Sequence, residues 1–315
     1  MKASKVVARM RRRRAAFPFG KVALFVFRVM TRDESRSIQV FAFNWEDYDL
    51  MEIGFLGDWF LPGNPTSLLI AFSLLFVLGI FVGILNVVAG GGSFLTLPLL
   101  IFLGLPPSVA NGTNRVGIFF QNLFAVGSFH RHKALDWQGL RWAGAPAAVG
   151  APLGTWLALS LQEAMFQKLL AFLMVGITLW TLWNPQGKRF VAGGYRSSCQ
   201  GALTTFGFFL IGVYGGFVQA GVGFLILAMT SVLGLDLVRG NGVKVLTVLL
   251  FTSLSLLVFI GQGKVHWPMA LALAAGTVVG GLLGVRLTIL KGNEWLRHVV
   301  TVVVIAFALR LWFTA

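Results

Sequence analysis

Carboxylates are scarce in this chain: 11 Asp and Glu stand against 26 Lys and Arg, and a single cysteine, Cys199, has no partner to pair with. A lone cysteine excludes an intramolecular disulfide and a cysteine cage for a metal. No Asp or Glu falls well within the long apolar runs, and Glu163, Asp236 and Glu294 read as turn residues. The sequence also lacks an HExxH helix, a Walker A loop and a GxSxG elbow, and no serine–histidine–acid set can be assembled inside the runs. Nothing therefore points to an enzyme. His130 and His132 have no third ligand at a useful spacing, so no metal site and no cofactor is expected.

What the chain has in quantity is apolar length. It is 57% hydrophobic and 12% charged, with a mean hydropathy of +0.80. Several runs reach about 20 residues, the length a helix needs to cross a bilayer. The fold class expected is an all-α polytopic membrane protein. The net charge of +15 gathers in an N-terminal arginine run, Arg9 and Arg11 to Arg14, and in short loops. That distribution fits membrane topology, leaves no basic face for nucleic acid, and makes the lipid bilayer the expected partner.

The organising stretch is Asn86-Val-Val-Ala-Gly90-Gly91-Gly92-Ser93, set between apolar residues 68–88 and 94–103. Three glycines break a helix at membrane depth and free backbone N–H groups. Such a break must be buried in protein or line a wet cavity, as in the sites of secondary transporters. As one helix, residues 67–104 would extend roughly 57 Å, nearly twice the hydrocarbon core, so a hairpin folded at the glycines fits better. Helices follow at about 111–130, 143–161 and 168–183. The second half holds apolar segments at about 202–234, 241–260, 269–290 and 296–313, and its break is Gln219-Ala220-Gly221-Val222-Gly223.

The halves repeat at a constant offset of 130 residues: Phe94 with Phe224, Gly104 with Gly234, Asn111-Gly112 with Asn241-Gly242, Trp137 with Trp267. This divides the chain into an atypical extension at 1–66, a first repeat at 67–184, a polar linker at 185–201 and a second repeat at 202–315. An abrupt change of composition suggests Met51 as the true start. Loop charges favour inverted repeats. That topology puts Arg131, Lys133, Arg141, Lys188, Arg189, Arg196, Arg239, Lys291 and Arg297 on one side, and Lys168 and Lys264 on the other.

Arg115, Lys244 and Arg286 are charges inside these runs, the first two at near-equivalent places beside Asn-Gly pairs. Unpaired cations at membrane depth are costly, and with no carboxylate nearby their natural partner is a small anionic substrate. Snorkelling to headgroups is the competing reading. Asn111, Thr113, Asn114 and Asn241 add hydrogen-bonding groups, and Asn86 and Gln219 flank the breaks. Gly90, Gly91, Gly92, Gly221 and Gly223 would present backbone N–H groups where the downstream helices begin. Gln121 and Asn122 read equally as substrate contacts or as interhelical hydrogen-bonding groups. Trp137, Trp142, Trp180, Trp183, Trp267 and Trp312 read as interfacial anchors.

The stretch from Gly79 to Gly92, then Pro98 to Leu105, then Val109-Ala-Asn-Gly-Thr-Asn-Arg115, with echoes at 212–223 and 240–244, resembles the sulfite exporter TauE/SafE family of bacterial membrane proteins. The resemblance covers about residues 67–313. It implies a multi-pass inner-membrane permease that exports a small anion such as sulfite or an organosulfonate. A metal-cation transporter would need acidic, His or Cys residues within the spans. The rival from another class is a non-transporting membrane scaffold or assembly protein.

Overall fold

A computed structural model of the chain describes residues 65–183 and 198–291. The N-terminal extension with its suggested start at Met51, most of the linker, and the expected last helix at 296–313 lie outside the described residues. Among the described residues every regular element is a helix. The order is α1 (Pro65–Val88), α2 (Ser93–Phe102), α3 (Pro107–Arg131), α4 (Ala145–Ser160), α5 (Glu163–Trp183), α6 (Ser198–Phe217), α7 (Val222–Val232), α8 (Leu237–Gly261) and α9 (Trp267–Lys291). A π-helical turn, Leu140–Gly144, leads into α4. The expected all-α class is what the chain adopts. Glu163, expected in a turn, instead opens α5, where a carboxylate favours the unpaired N–H groups and positive dipole of a first turn.

Local chemistry sets the helix ends. Pro107 stands at the first position of α3, where its missing N–H costs nothing. Asp236 caps α8 by accepting from the N–H groups of Val238 at 3.0 Å and Arg239 at 2.9 Å. After α2 the N–H of Leu105 returns to the carbonyl of Leu100, and after α7 that of Leu235 returns to Thr230. Both closures are Schellman-type helix ends. They fall at the same offset of 130 residues, as do the bounds of the two 25-residue helices α3 and α8.

The halves embrace each other. The helix α1 packs along α9 of the other half, and α6 packs along α4; α3 lies against α9 as α8 lies against α4, and α3 and α8 meet in the middle. Each cross-half pair thus has a reciprocal partner. Small residues let the backbones approach: a Cβ at Gly83 of α1 would lie 2.5 Å from the carbonyl oxygen of Thr277 on α9, and a Cβ at Gly154 of α4 would meet that of Val213 on α6.

Polarity runs inside out. Leu69, Val77, Phe172, Leu203 and Leu257 are each more than 60% exposed, whereas Arg115 is 0% and Lys244 2% exposed. Water would penalise such a surface, and lipid matches it. Three helices are long and apolar enough to cross a membrane, at Leu69–Val88, Leu237–Gly261 and Trp267–Leu290. The helix α3 equals α8 in length but is less apolar, because Asn111, Asn114, Arg115, Gln121 and Asn122 give it a buried polar row. Arg286 departs from its expected place: its side chain is exposed near the end of α9 and does not join the buried cations. Trp142, read as an interfacial anchor, packs edge-on against Phe208 at 5.4 Å.

Candidate functional site

Two helix breaks build the centre of the molecule. The helix α1 stops at Val88 and α6 at Phe217, and each chain then turns through a glycine with positive φ, Gly90 at 89° and Gly221 at 73°. An L-side chain would strain either turn. The breaks also touch: a Cβ on Gly90 would lie 2.5 Å from the carbonyl carbon of Gly223. Beyond them α2 and α7 begin, with Phe94 and Phe224 stacked at 6.3 Å between ring centres. The breaks free fewer amides than expected. Ala89 and Gly90 both donate to the carbonyl of Leu85, and Val218 donates to Tyr214. The Tyr214 hydroxyl in turn donates to Ala220 at 2.6 Å. Gly91 and Gly92 supply the carbonyls that accept from Phe94 and Leu95 in the first turn of α2.

A cavity of about 20 Å³, room for one or two waters, lies where the breaks meet. Its walls are Asn86 from the end of α1, Gly90, Ser93, Ile118, Gln121 and Asn122 of α3, Gln219, Val222 and Gly223, and Lys244 and Val248 of α8. The first residues of both short helices, Ser93 of α2 and Val222 with Gly223 of α7, therefore border one space. A helix N-terminus presents unpaired N–H groups and about half a positive charge. With the Lys244 ammonium alongside and no carboxylate in the walls, the space suits an anion.

The amides around it are oriented by one another. Asn86 Nδ2 donates to Gln121 Oε1 at 3.2 Å, Asn122 Nδ2 to the carbonyl of Ile118 at 2.8 Å, and Gln219 Nε2 to the hydroxyl of Thr252. Gln219 Oε1 is buried without a partner. Lys244 Nζ donates to the carbonyls of Asn86 at 3.0 Å and Val87 at 2.5 Å and to Asn241 Oδ1 at 2.5 Å. All three of its N–H groups are used, and two of them neutralise the negative end of α1.

Arg115 does the same for the other half. Its Nη2 donates to the carbonyl of Gly216 at 2.6 Å, and Asn111 Nδ2 donates to that of Phe217 at 2.9 Å. These carbonyls end α6 and stand 130 residues beyond those of Asn86 and Val87. Arg115 also lies over the ring of Phe259, 4.8 Å from its centre. Thr155 donates to Ser255 at 2.8 Å and sits 3.2 Å from the Gly216 carbonyl. Neither cation snorkels to a surface.

Of the residues singled out from the sequence, the cavity gathers Asn86, Gly90, Gln219, Gly223 and Lys244. Gly91, Gly92, Asn111, Thr113, Asn114, Arg115, Gly221 and Asn241 lie outside its walls. Asn114 Oδ1 accepts from Thr96 at 2.6 Å, and Thr113 Oγ1 accepts the N–H of His266 at 2.9 Å, tying α3 to the loop before α9. Ser93, Ile118, Val222 and Val248 line the cavity without having been singled out. Ser93 carried a signal, a hydroxyl directly after the glycine break. The aliphatic residues carried none, because their wall position depends on how α3 crosses α8.

The Sulfite exporter TauE/SafE family model matches residues 75–311. A probable membrane transporter protein of Haemophilus influenzae is 30% identical over 241 residues, covering 73% of this chain and 90% of that protein. The probable membrane transporter protein YfcA of Escherichia coli K12 is 27% identical over 241 residues, covering 76% and 89%. YjnA of Bacillus subtilis, also named a probable membrane transporter protein, is 25% identical over 267 residues, covering 75% and 97%. No solved structure matches. With three quarters of its length matched by the family model, from within α1 to beyond α9, this chain belongs to the TauE/SafE family.

Proposed function

We propose that this protein is a multi-pass transporter of the bacterial inner membrane, not an enzyme, and that it exports a small anion, with sulfite or an organosulfonate as the specific substrate class. The observation that carries the reading is the convergence of two helix N-termini, the Lys244 ammonium and four side-chain amides on one carboxylate-free cavity. The family membership and the names of the relatives support transport as the activity. Lys244 neutralises the anion, Asn86 and Gln219 orient it, and the starts of α2 and α7 supply N–H groups. A cavity of about 20 Å³ is too small for an oxyanion of several heavy atoms, so entry requires the halves to part. The reading of 67–184 and 202–315 as inverted repeats gives that motion a form, with one half rocking against the other.

The test is thermal stability of the purified protein against sulfite, sulfate, thiosulfate, sulfoacetate, taurine, acetate and chloride. An anion at a hundred times its dissociation constant stabilises by about 2.7 kcal/mol. A shift for one sulfur oxyanion, abolished in Lys244→Gln, is the expected result. No shift with any anion in folded protein would leave the membrane scaffold as the better reading.

A further inference from the structure

The cavity is lopsided with respect to the repeat. Near its centre both members of a repeat pair line it, Ser93 with Gly223 and Ile118 with Val248. Away from the centre only one side is open. Asn86, Gln121, Asn122 and Lys244 line it, while Gly216, Phe251, Thr252 and Arg115, which stand in the corresponding places, do not. On the Arg115 side the place that Gln121 takes on the other is filled by the fully buried ring of Phe251.

The two cations differ in satisfaction as well as in access. Lys244 has every N–H engaged. Arg115 is wholly buried, yet its Nε and Nη1 have no hydrogen-bond partner, and neither does Nδ2 of Asn114 one residue before it. Buried guanidinium N–H groups are costly to leave unpaired, and a fork of unused donors matches the oxygens of an oxyanion. A guanidinium that served only to cap α6 would need one donor for that task.

From these asymmetries we infer that Arg115 is a second anion station, sealed in this conformation and opened in the one with opposite access. Exchanging the conformations of two equivalent halves turns the Lys244 side into the closed one and the Arg115 side into the open one. The anion then passes from the Lys244 ammonium across the Gly90–Gly223 contact to the Arg115 Nε and Nη1 groups. This inference rests on the transport reading above and adds to it a second site and a path.

Uptake of radiolabelled sulfite and sulfoacetate into right-side-out and inside-out membrane vesicles tests it. Arg115→Gln is expected to raise KM at least tenfold from one face and to leave the other within about twofold, with Lys244→Gln doing the reverse. A pure capping role would move expression or maximal rate, not KM from one face alone. Should Arg115→Gln fail to accumulate, Arg115→Lys, which keeps the charge and loses the fork, carries the same comparison. Elevated KM from the same face in both variants, or no change from either face in the Arg115 variants, overturns the second station. Absence of transport of both probes by the parent overturns the transport reading and the station with it.

Discussion

The two halves solve one problem with different residues. Each ends its broken helix with buried carbonyls that face no water, Asn86 and Val87 in one and Gly216 and Phe217 in the other. Each satisfies them with a cation and an asparagine from the central helix of the opposite half. The second half uses Lys244, a compact ammonium that spends all its donors on the task. The first half uses Arg115, whose wider fork is left mostly unspent. Where an Arg and a Lys hold equivalent places, the donors left over distinguish a site that is fully closed from one prepared to bind.

The largest expected effect comes from the contact the halves share. Gly90→Val places a branched side chain against the backbone of Gly223 and strains a turn at φ 89°. It should cost more than about 3 kcal/mol and abolish a monodisperse detergent-solubilised protein. Gly127→Ala is the control. It lies in α3 with nothing within 4 Å of a new Cβ. It should be neutral or stabilising by about 0.5–1 kcal/mol.

Next come the cations compared directly. Lys244→Met strips the carbonyls of Asn86 and Val87 of their donor and should lower stability by about 3 kcal/mol. Arg115→Met removes one carbonyl bond together with two donors that were unpaired, and should cost about 1–2 kcal/mol. Equal losses in thermal or denaturant unfolding would erase the difference between the halves.

Smaller effects belong to the periphery, where the halves diverge. Glu163 accepts from the backbone N–H and the hydroxyl of Ser108 at the start of α3 and pairs with Lys264 at 3.5 Å. Both members of the pair are over a third exposed, so Glu163→Gln should cost at most about 1 kcal/mol, less in high salt. The corresponding end of α8 is capped from within its own half by Asp236, and Asp236→Asn should show weaker salt dependence across the halves.

The smallest effect is acid sensitivity at His266, in the loop before α9. Burial lowers its pKa, with a backbone hydrogen bond pulling less strongly the other way. The folded state then binds fewer protons than the unfolded one. Its stabilising contribution is complete above the ordinary imidazole value of about 6.5 and is lost as pH falls toward the folded value. Unfolding midpoints measured from pH 7.5 to 5 should drop, and His266→Asn should flatten the curve.

Much of this was written into the chain. Long apolar runs declare membrane helices, because no soluble fold can cover so much hydrocarbon. Glycine clusters declare breaks, and the offset from Phe94 to Phe224 and from Asn111 to Asn241 is visible as letters. The presence of Arg115 and Lys244 in apolar surroundings marked both as unusual. Their partners were not legible. A carbonyl acceptor belongs to every residue, so nothing in the letters of Asn86, Val87, Gly216 or Phe217 distinguishes them as ligands of a cation. The exposed Arg286 shows the converse, for a charge in an apolar run can still face outward near a helix end.

Composition and periodicity therefore settle the class of fold, the places where helices break and the types of residue near the breaks, since these follow from local hydrophobicity and backbone sterics. Which polar groups face one cavity is settled by packing between segments over a hundred residues apart. The same packing leaves Lys244 beside that cavity and seals Arg115 under Phe251 and Phe259. The free energy of a buried donor depends on the acceptor brought to it in space, and no local pattern along the chain encodes that distance.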